Sequence, residues 1–407
     1  MSDTNEWTPS FREFDDTDTQ SMGYIRSLFS EGRVEEARAE LQKQIEADPD
    51  NARPVIALGF SLLRERRLEE AARQFEKAMD LDPENEVPAL LAAQVGMRGD
   101  NPEYAEVNFH KALAANPNSV RALTGLSRLH LRNDKPEEAI TVLERAIEAD
   151  PQSRRLRQRL AALCVDQDRY EDAQAHLEHV LSIFPDDIPT VIQLGNALHD
   201  MGKADEALTL LRRTAEAHPE DAGLLSALGN MLIRSGNFQE AEGLLRRAVT
   251  LPRRAAAAGG EQASQLGQGQ AQSPRQAEFR RRMADWFRGR PRVFAQLLLV
   301  QALIPQNKQS EAREILAQLP RRGNMAVAIQ RLYGDAFARE GNITAAEESY
   351  RAALHSAPKG ETYIRKIDEA RSARKLSDTE LFALYTDALD QSQKDMMSSL
   401  FRMGDRD

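Results

Sequence analysis

Histidine and cysteine are the side chains of this 407-residue sequence that most directly suggest chemistry. His176 and His179 lie three residues apart on a predicted helix, so both share one face and could hold one edge of a metal site. No third ligand lies near them in the sequence, and two exposed histidines explain the same spacing. Cys164 occupies a small-residue position with nothing nearby to lower the pKa of its thiol, so we expect it to pack in a core.

Known catalytic motifs are absent from the sequence. It has no phosphate-binding glycine loop, no HExxH zinc motif, no G-x-S-x-G elbow and no dinucleotide fingerprint. Gly267 and Gly269 lie in a low-complexity stretch rather than between a strand and a helix. We therefore predict a protein that is not an enzyme and that holds neither a metal ion nor a cofactor.

Arginine offers a different chemistry, because its planar guanidinium can grip a carboxylate through two parallel hydrogen bonds. Arginines recur at helical spacings along the first half of the chain, although the net charge of the whole chain is −10. The set consists of Arg53, Arg64, Arg98, Arg121, Arg128, Arg132 and Arg155. What these arginines can do depends on the elements that position them.

The positioning elements are short helices that recur with a fixed period. In residues 52–85, small and apolar residues follow helical spacing in two blocks, which predicts two helices joined by a turn. Prolines then recur every 34 residues, at Pro49, Pro83, Pro117, Pro151, Pro185 and Pro219. Self-similarity at a fixed period indicates an array in which each repeat packs only on its neighbours.

This unit resembles the tetratricopeptide repeat in three sets of residues. The Leu-Gly pair of the first helix occurs at Leu58-Gly59, Leu194-Gly195 and Leu228-Gly229. The turn glycine occurs at Gly32, Gly202, Gly236 and Gly341. The small residue of the second helix occurs at Ala37, Ala71, Ala105, Ala139, Ala173, Ala207, Ala241 and Ala346. The resemblance implies an all-α, right-handed superhelical solenoid of helix-turn-helix repeats, and a role in binding other proteins.

The arginines fall on one side of the first helices of such an array. The Leu-Gly side packs on the partner helix, so residues three and four apart on the opposite side are expected to face an inner groove. Of twenty such positions in the second to fifth repeats, seven are arginine and one is acidic. Apolar residues lie between them, at Ile56, Phe60, Leu63, Leu90 and Met97. We predict a groove for a peptide or helix that carries acidic and apolar residues.

A second interpretation of three of these arginines is structural. Arg64, Arg98 and Arg132 fall in the last turn of their helices, where a cation interacts favourably with the helix dipole. Charged side chains on a solvated face are also common in helical arrays. The sequence leaves both interpretations open.

Asparagine occupies the same inner position in the sixth and seventh repeats, at Asn196 and Asn230. In many relatives such asparagines hydrogen-bond the main chain of a bound peptide, and chaperone-binding members add lysine and arginine to clamp a terminal carboxylate. The lysines of that clamp are not evident here. The resemblance therefore implies that Asn196 and Asn230 hold backbone groups of a peptide.

Composition divides the chain into five predicted segments. They are a disordered acidic tail (1–17), a seven-repeat array (18–252), a flexible Ala/Gly/Gln/Ser-rich linker (253–274), a second lobe (275–375) and a C-terminal helix (376–407). The second lobe contains a basic amphipathic helix at 275–288, a degenerate repeat and a clear repeat. A capping-box pattern from Ser377 to Glu380 opens the C-terminal helix.

Composition also limits the partners and the location. The acidic net charge disfavours nucleic acid, and a single cysteine indicates a reducing compartment. We find neither a secretory signal nor a run of about 18 apolar residues, and therefore predict a cytoplasmic protein.

The predicted function is a scaffold that binds other proteins through an acidic or apolar segment. The alternative is an assembly or regulatory factor for a membrane-associated complex, with peripheral membrane contact through helix 275–288 or the C-terminal helix. The oligomeric state stays open.

Overall fold

The computed structural model describes residues 21–251, 292–320, 324–357, 359–374 and 376–403, and these ranges contain helices and no strand. The helices are α1 (Ser21–Ser30), α2 (Val34–Ala47), α3 (Ala52–Arg64), α4 (Leu68–Leu81), α5 (Glu86–Arg98), α6 (Pro102–Ala115), α7 (Val120–Arg132), α8 (Pro136–Ala149), α9 (Arg154–Asp166), α10 (Tyr170–Ile183), α11 (Ile188–Asp200), α12 (Ala204–Ala217), α13 (Ala222–Arg234), α14 (Phe238–Thr250), α15 (292–303), α16 (Gln309–Ala317), α17 (Asn324–Arg339), α18 (Ile343–His355), α19 (Gly360–Ala373) and α20 (Asp378–Met403). The predicted all-α array of helix-turn-helix repeats is confirmed.

The helices belong to two compact units. The first unit runs to Gln167 and contains α1–α9, and the second runs from Asp168 to Ser399 and contains α10–α19 with most of α20. Within each unit, contacts join consecutive helices from α1 to α9, from α10 to α14 and from α16 to α19. The predicted lobe boundary at 253–274 falls outside the described residues and stays a prediction.

A residue with left-handed backbone closes the turn inside each described helix pair, and we call it the turn residue. The turn residues are Gly32, Arg66, Asp100, Asp134, Asp168, Gly202, Gly236, Asn307 and Gly341, with φ from 56° to 79°. Glycine adopts this conformation without strain, and Asp and Asn tolerate it better than other residues do. Successive turn residues are 34 positions apart, except that Gly236 and Asn307 are 71 apart (307 − 236).

The longer interval equals one repeat plus 37 residues (71 − 34 = 37). Lys308, which follows the turn residue, donates hydrogen bonds from Nζ to both carboxylate oxygens of Glu242 on α14, at 2.7 and 2.9 Å. Lys203 follows its own turn residue in the regular array and donates in the same way to Gln174 Oε1, at 3.3 Å. The α15–α16 pair therefore packs on α14 as the next repeat, and the extra residues lie in the connection between two repeats.

Small residues let the two helices of a repeat approach closely. The alanine five residues after each turn residue is fully buried, at Ala37, Ala71, Ala105, Ala139, Ala173, Ala207, Ala241, Ala312 and Ala346. On the first helix, a Cβ added to Gly59 would lie 2.7 Å from the ring of Phe75, and one added to Gly229 would lie 2.7 Å from Leu245 Cγ. These distances are shorter than atoms can pack, so a larger residue at either position would force the neighbouring side chain to shift.

The third repeat reaches the same close packing with different residues. Its sequence has Gly96 where a large residue is usual in this pattern. A Cβ added to Gly96 would lie 2.6 Å from the main-chain nitrogen of Ala105. Gly96 therefore allows α5 and α6 to approach each other closely.

Polar caps set where the first helices begin. Five residues each accept a hydrogen bond on a side-chain oxygen from a backbone N–H two or three residues later, at 2.8–3.1 Å: Asn51, Asn85, Ser119, Asp187 and Asp221. These bonds satisfy donors that have no partner inside the helix. Second helices carry acids in the first turn, such as Glu69 and Glu70 of α4, which the helix dipole favours.

Glu242 connects the second helices of the seventh and eighth repeats. Its side chain is buried and also accepts a hydrogen bond from Arg246 at 2.9 Å, and Arg246 in turn pairs with Glu311 of α16 at 2.6 Å. Burial alone would raise the pKa of Glu242, but the hydrogen bonds from Lys308 and Arg246 outweigh it and hold that pKa below 4.5.

We predict that Arg66→Gly stabilises the first unit. Arg66 has a φ of 63°, a conformation that costs a side-chain-bearing residue about 1–2 kcal/mol, so relief of this strain should exceed the added flexibility of the unfolded chain by about 1 kcal/mol. Urea unfolding followed by circular dichroism measures the change. Asn133→Gly is the control, because Asn133 directly precedes a turn residue but has a φ of −88° and should lose stability. Equal effects of the two substitutions would contradict the prediction.

We predict that Glu242→Gln lowers the free energy of unfolding of the second unit by about 1–3 kcal/mol at pH 7, because two cations lose their carboxylate. The pKa of Glu242 is lower in the folded state than in the unfolded chain. Its contribution is therefore present above pH 4.5 and is lost as the pH falls through the folded-state pKa. Urea unfolding at a series of pH values should show the difference between wild type and variant shrinking over that range.

Glu240→Gln is the matched control for this experiment. Glu240 pairs with Arg212 at 2.7 Å on the surface of the same unit, and nearly half of each side chain is exposed. Exposed pairs contribute at most about 1 kcal/mol. If the loss from Glu242→Gln were no larger or stayed constant with pH, the inferred role of Glu242 would be wrong.

Candidate protein-binding surfaces

The predicted inner face of the first unit lies on α3, α5, α7 and α9, the first helices of four repeats. Contacts join α3 to α5 and α5 to α7. Arg53, Arg121 and Arg155 each stand thirteen residues before a turn residue, and Arg128 stands six before one. Arg53, Arg128 and Arg155 are exposed, and Arg121 is half-buried. We call Arg121, Arg128 and Arg155 the arginine face.

The start of α9 adds basic and polar residues beside Arg155. Arg154 is exposed, and Gln158 and Arg159 are half-buried on the same helix. Of the arginines near the start of α9, the sequence interpretation named only Arg155, although four arginines in residues 154–159 were a visible signal. Arg64, the remaining predicted arginine of α3, is exposed at the end of its helix.

Arg98 and Arg132 hold neighbouring repeats together. Arg98 Nη1 donates to the carbonyl oxygen of Leu63 at 3.3 Å, and Arg132 Nη1 donates to that of Met97 at 2.8 Å. Both carbonyls lie in the last turn of the preceding first helix, where the usual donor four residues later is missing, and that of Leu63 also accepts from the N–H of Arg66 at 3.1 Å. Arg132 also pairs with Asp100, and only 12% of its side chain is exposed. These contacts fit the structural interpretation, so we correct the predicted role of both arginines in a peptide groove.

Phe60 is buried rather than open to a ligand. It is 6% exposed and packs with Ile56 and Leu63 in a hydrophobic core shared by α3, α4 and α5. Leu90 and Met97 of α5 are buried as well. The prediction that these residues offer apolar contact in a groove is corrected, because their side chains are buried.

Asn196 and Asn230 lie on neighbouring first helices of the second unit. Each stands six residues before a turn residue, and α11 contacts α13. Asn196 is exposed and Asn230 is half-buried. Beside them, Arg234 pairs with Asp200 at 2.5 Å, which neutralises both charges.

In the last repeat, Asp335 takes the position of these asparagines. Tyr350 donates its hydroxyl to Asp335 Oδ1 at 2.8 Å, and burial raises the pKa of this carboxyl group. The hydrogen bond from Tyr350 lowers that pKa, but the effect of burial is larger. This carboxylate is thus held inside the repeat by the second helix.

The C-terminal helix α20 packs against this last repeat. Arg331 of α17 pairs with Asp390 of α20 at 2.5 Å, and the ring of Tyr385 stacks on Tyr350 with centroids 5.7 Å apart. The capping box forms as the pattern indicates, since Glu380 N–H donates to Ser377 Oγ at 3.3 Å. The chain therefore supplies a helix of its own to this repeat.

The histidines and the cysteine do not form a chemical site in the described part of the chain. Cys164 is buried in the core, 1% exposed. His176 is half-buried and His179 is exposed. Within the described ranges, no group of three or more His, Cys, Asp and Glu side chains could hold a metal ion.

Two sequence models, both described as tetratricopeptide repeat, match the chain. One matches residues 99–164, 133–198, 165–228 and 198–259, and the other matches 22–86 and 297–361, which together span more than half of the chain. The chain belongs to the tetratricopeptide repeat family. Tetratricopeptide repeat proteins generally bind other proteins, and the fold is typically a non-catalytic scaffold. This tetratricopeptide repeat protein is accordingly a scaffold for protein–protein interaction.

Several solved structures resemble this tetratricopeptide repeat protein. The MamA protein is 22% identical over 42% of this chain and 93% of that chain, with a TM-score of 0.37. PilW, a widely conserved type IV pilus biogenesis factor, is 20% identical over 48% and 91%, with a TM-score of 0.38. A tetratricopeptide repeat protein from Parabacteroides merdae is 17% identical over 60% and 95%, with a TM-score of 0.39. Likeness at this level identifies no partner.

The search of curated proteins found no match to this sequence. Among the helices that the structure describes, none has the length and apolar character needed to cross a membrane. The predicted acidic tail 1–17, the linker 253–274 and the basic helix 275–288 lie outside the described residues, so the predictions about them stay predictions.

We predict that Arg132→Ala destabilises the first unit by about 1–3 kcal/mol, because a helix-end carbonyl loses a charged donor and Asp100 loses its partner. The midpoint of urea unfolding, followed by circular dichroism, measures the loss. Arg145→Ala, at an exposed arginine of α8 in the same repeat, is the control, and a change within about 0.5 kcal/mol is expected there. Equal losses from both substitutions would return Arg132 to the candidate ligand surface.

Proposed function

We propose that the first unit binds an acidic segment of a partner protein along α7 and α9. The observation that supports this is the arginine face: three arginines on two first helices, of which Arg121 and Arg155 hold equivalent positions, in a chain whose net charge is −10. Arginine keeps its charge when it is partly buried and binds carboxylates with defined geometry. A partner with carboxylates at matching spacing would be both attracted and oriented.

Apolar contact for the same partner comes from residues next to the arginine face. Leu131 and Val165 each stand three residues before a turn residue, on α7 and α9, and both are half-buried. They replace Phe60 as the apolar part of the proposed contact. The partner segment therefore combines acidic residues with one or two apolar side chains.

The second unit contributes a contact of different character. Asn196 and Asn230 each carry a donor and an acceptor, which suits the main chain of a partner. We propose that they hold backbone groups of a bound segment, and that the protein performs this scaffolding in the cytoplasm. The described residues provide no contact that favours the membrane-associated alternative.

We predict that reversing the arginine face selectively removes one partner. The variant Arg121→Glu/Arg128→Glu/Arg155→Glu is compared with wild type by proximity cross-linking in cells that produce the full chain, followed by mass spectrometry. Recovery of a partner with an acidic segment should fall at least tenfold, because the charge change of −6 replaces attraction by repulsion. Binding of that purified partner should also weaken with added salt, since salt screens exposed charges.

The matched control carries the same charge change on second helices. Lys77, Lys111 and Arg145 are exposed and stand 34 residues apart, so Lys77→Glu/Lys111→Glu/Arg145→Glu is the equivalent triple variant. Circular dichroism checks that both variants keep their helical content. If both triple variants lost the same partners, or neither lost any, the arginine face would not be the site.

A further inference from the structure

Three first helices of the first unit carry an arginine at the end that disfavours a cation. Arg53, Arg121 and Arg155 are the second residues of α3, α7 and α9. The start of a helix is the positive end of its dipole, which favours anions and disfavours cations. None of these three helices has an acid in its first turn, whereas second helices do, such as α4 with Glu69 and Glu70. The arrangement concentrates positive charge that a bound carboxylate would stabilise.

This position is basic in the first unit and uncharged in the second. It lies thirteen residues before the turn residue. In α5 it is Val87, which is half-buried and follows the acidic Glu86. In the second unit the position is held by Pro189, Gly223, Phe294 and Ala328. The arginines therefore follow the part of the array that is nearest to the start of the chain.

The chain enters the array at the same edge. Thr19, two residues before α1, is itself thirteen residues before its turn residue Gly32. The first helices α1, α3, α5, α7 and α9 belong to successive repeats, so their N-terminal ends follow one edge of the unit. Residues 1–20, which we call the N-terminal segment, lie outside the described residues and join α1 at this edge.

The composition of the N-terminal segment matches the partner proposed for the arginine face. Three aromatic residues, Trp7, Phe11 and Phe14, could supply apolar contact. The only base is Arg12. The six acids are Asp3, Glu6, Glu13, Asp15, Asp16 and Asp18. The segment thus combines carboxylates with large apolar side chains, as the proposed partner does.

We propose that the N-terminal segment of this chain binds along the starts of α3, α5, α7 and α9, and so competes with the partner for the arginine face. The inference rests on the proposed function and adds its regulation. Carboxylates of the segment pair with Arg53, Arg121 and Arg155, and aromatic side chains contact Val87 and its surroundings. The partner binds when it displaces the segment.

The length of the segment agrees with this path. Packed helices lie about 8–10 Å apart, and an extended chain advances about 3.3 Å per residue. Asp18, three residues before α1, therefore reaches about 10 Å, which brings it level with Arg53 one repeat away. Glu13 reaches about 26 Å, the distance of Arg121 three repeats away. Glu6 reaches about 50 Å, enough for Arg155 four repeats away even along a bent path.

A weak contact of this kind is sufficient for regulation. A segment tethered by a short connection acts at an effective concentration of about 1 mM, so a segment with a Kd of about 0.1 mM would lower the apparent affinity of a competitor about tenfold. Salt screens the exposed charges of both the segment and the partner. The advantage of removing the segment's charge should therefore shrink as salt is added.

A fluorescent peptide with the sequence of residues 1–20 tests the proposal by anisotropy at low salt. It is titrated with the full-length wild type and with a full-length six-amide variant, Asp3→Asn/Glu6→Gln/Glu13→Gln/Asp15→Asn/Asp16→Asn/Asp18→Asn. We expect the peptide to bind the six-amide variant about tenfold more tightly, because the wild-type segment competes with it. In the six-amide background, Arg53→Glu should weaken the peptide about 3- to 10-fold, and Arg121→Glu/Arg128→Glu/Arg155→Glu should abolish its binding.

The matched control in the six-amide background is Lys77→Glu/Lys111→Glu/Arg145→Glu, which should leave the affinity for the peptide unchanged. Circular dichroism checks that every variant keeps its helical content. Equal affinity of the peptide for wild type and the six-amide variant would overturn the inference, as would binding that survives reversal of the arginine face or no binding at all. Competition that appears only at concentrations where sedimentation shows dimers would also overturn it, because the segment would then occupy a second copy.

Recovery of the partner separates this inference from the proposed function. If the six-amide variant recovers more of the partner that depends on the arginine face than wild type does, in the same proximity cross-linking, both are supported. If reversal of the arginine face removes that partner but the six-amide variant recovers no more of it, the inference fails and the proposed function stands. If the peptide depends on the arginine face and no partner does, the proposed function fails and the contact of the segment stands.

Discussion

The left-handed turn residue is the constraint on which the rest of the array depends. It fixes where a first helix ends and a second begins, and so determines which residues of the two helices meet. The alanine five residues later can be buried, and the large side chain nine residues later can pack on the first-helix glycine, only if that count is kept. Nine positions obey it, although only four of them are glycine. Asp, Asn and one arginine satisfy the same geometry at some cost in strain.

Arginine serves two purposes in the first unit, and a difference of four residues along one helix separates them. Arg132 points to the neighbouring repeat and satisfies the carbonyl oxygen of Met97, whereas Arg128, one turn earlier, is exposed on the inner side. One arginine strengthens the contact between adjacent repeats, and such contacts contribute to the stability of a solenoid together with that of each repeat. The other remains at the surface, where it can meet a partner.

Much of the fold could be predicted from the sequence, because the alanines and turn glycines repeat at a fixed interval. The groove was harder to predict, since a single helix pattern does not show which of its faces the next repeat covers. Phe60 and Leu63 looked like ligand contacts and proved to be core. The eighth repeat was hard to align for a different reason: the extra 37 residues shift the count, and Asn307 is an inconspicuous turn signal. Only the left-handed backbone and the Lys308–Glu242 contact restored the alignment of the repeats.

The position of the insertion between two complete repeats has a consequence for synthesis on the ribosome. Each repeat can be covered only after its successor has emerged, and translation adds about 5–20 residues per second. The 37 extra residues therefore delay the arrival of α15 by about 2–7 s, roughly doubling the wait for this one repeat. During that time α14 has no neighbour on its C-terminal side, and Glu242 lacks its hydrogen bonds from Lys308. The newly made seventh repeat is thus the point of the array at which a nascent chain is longest exposed to wrong contacts.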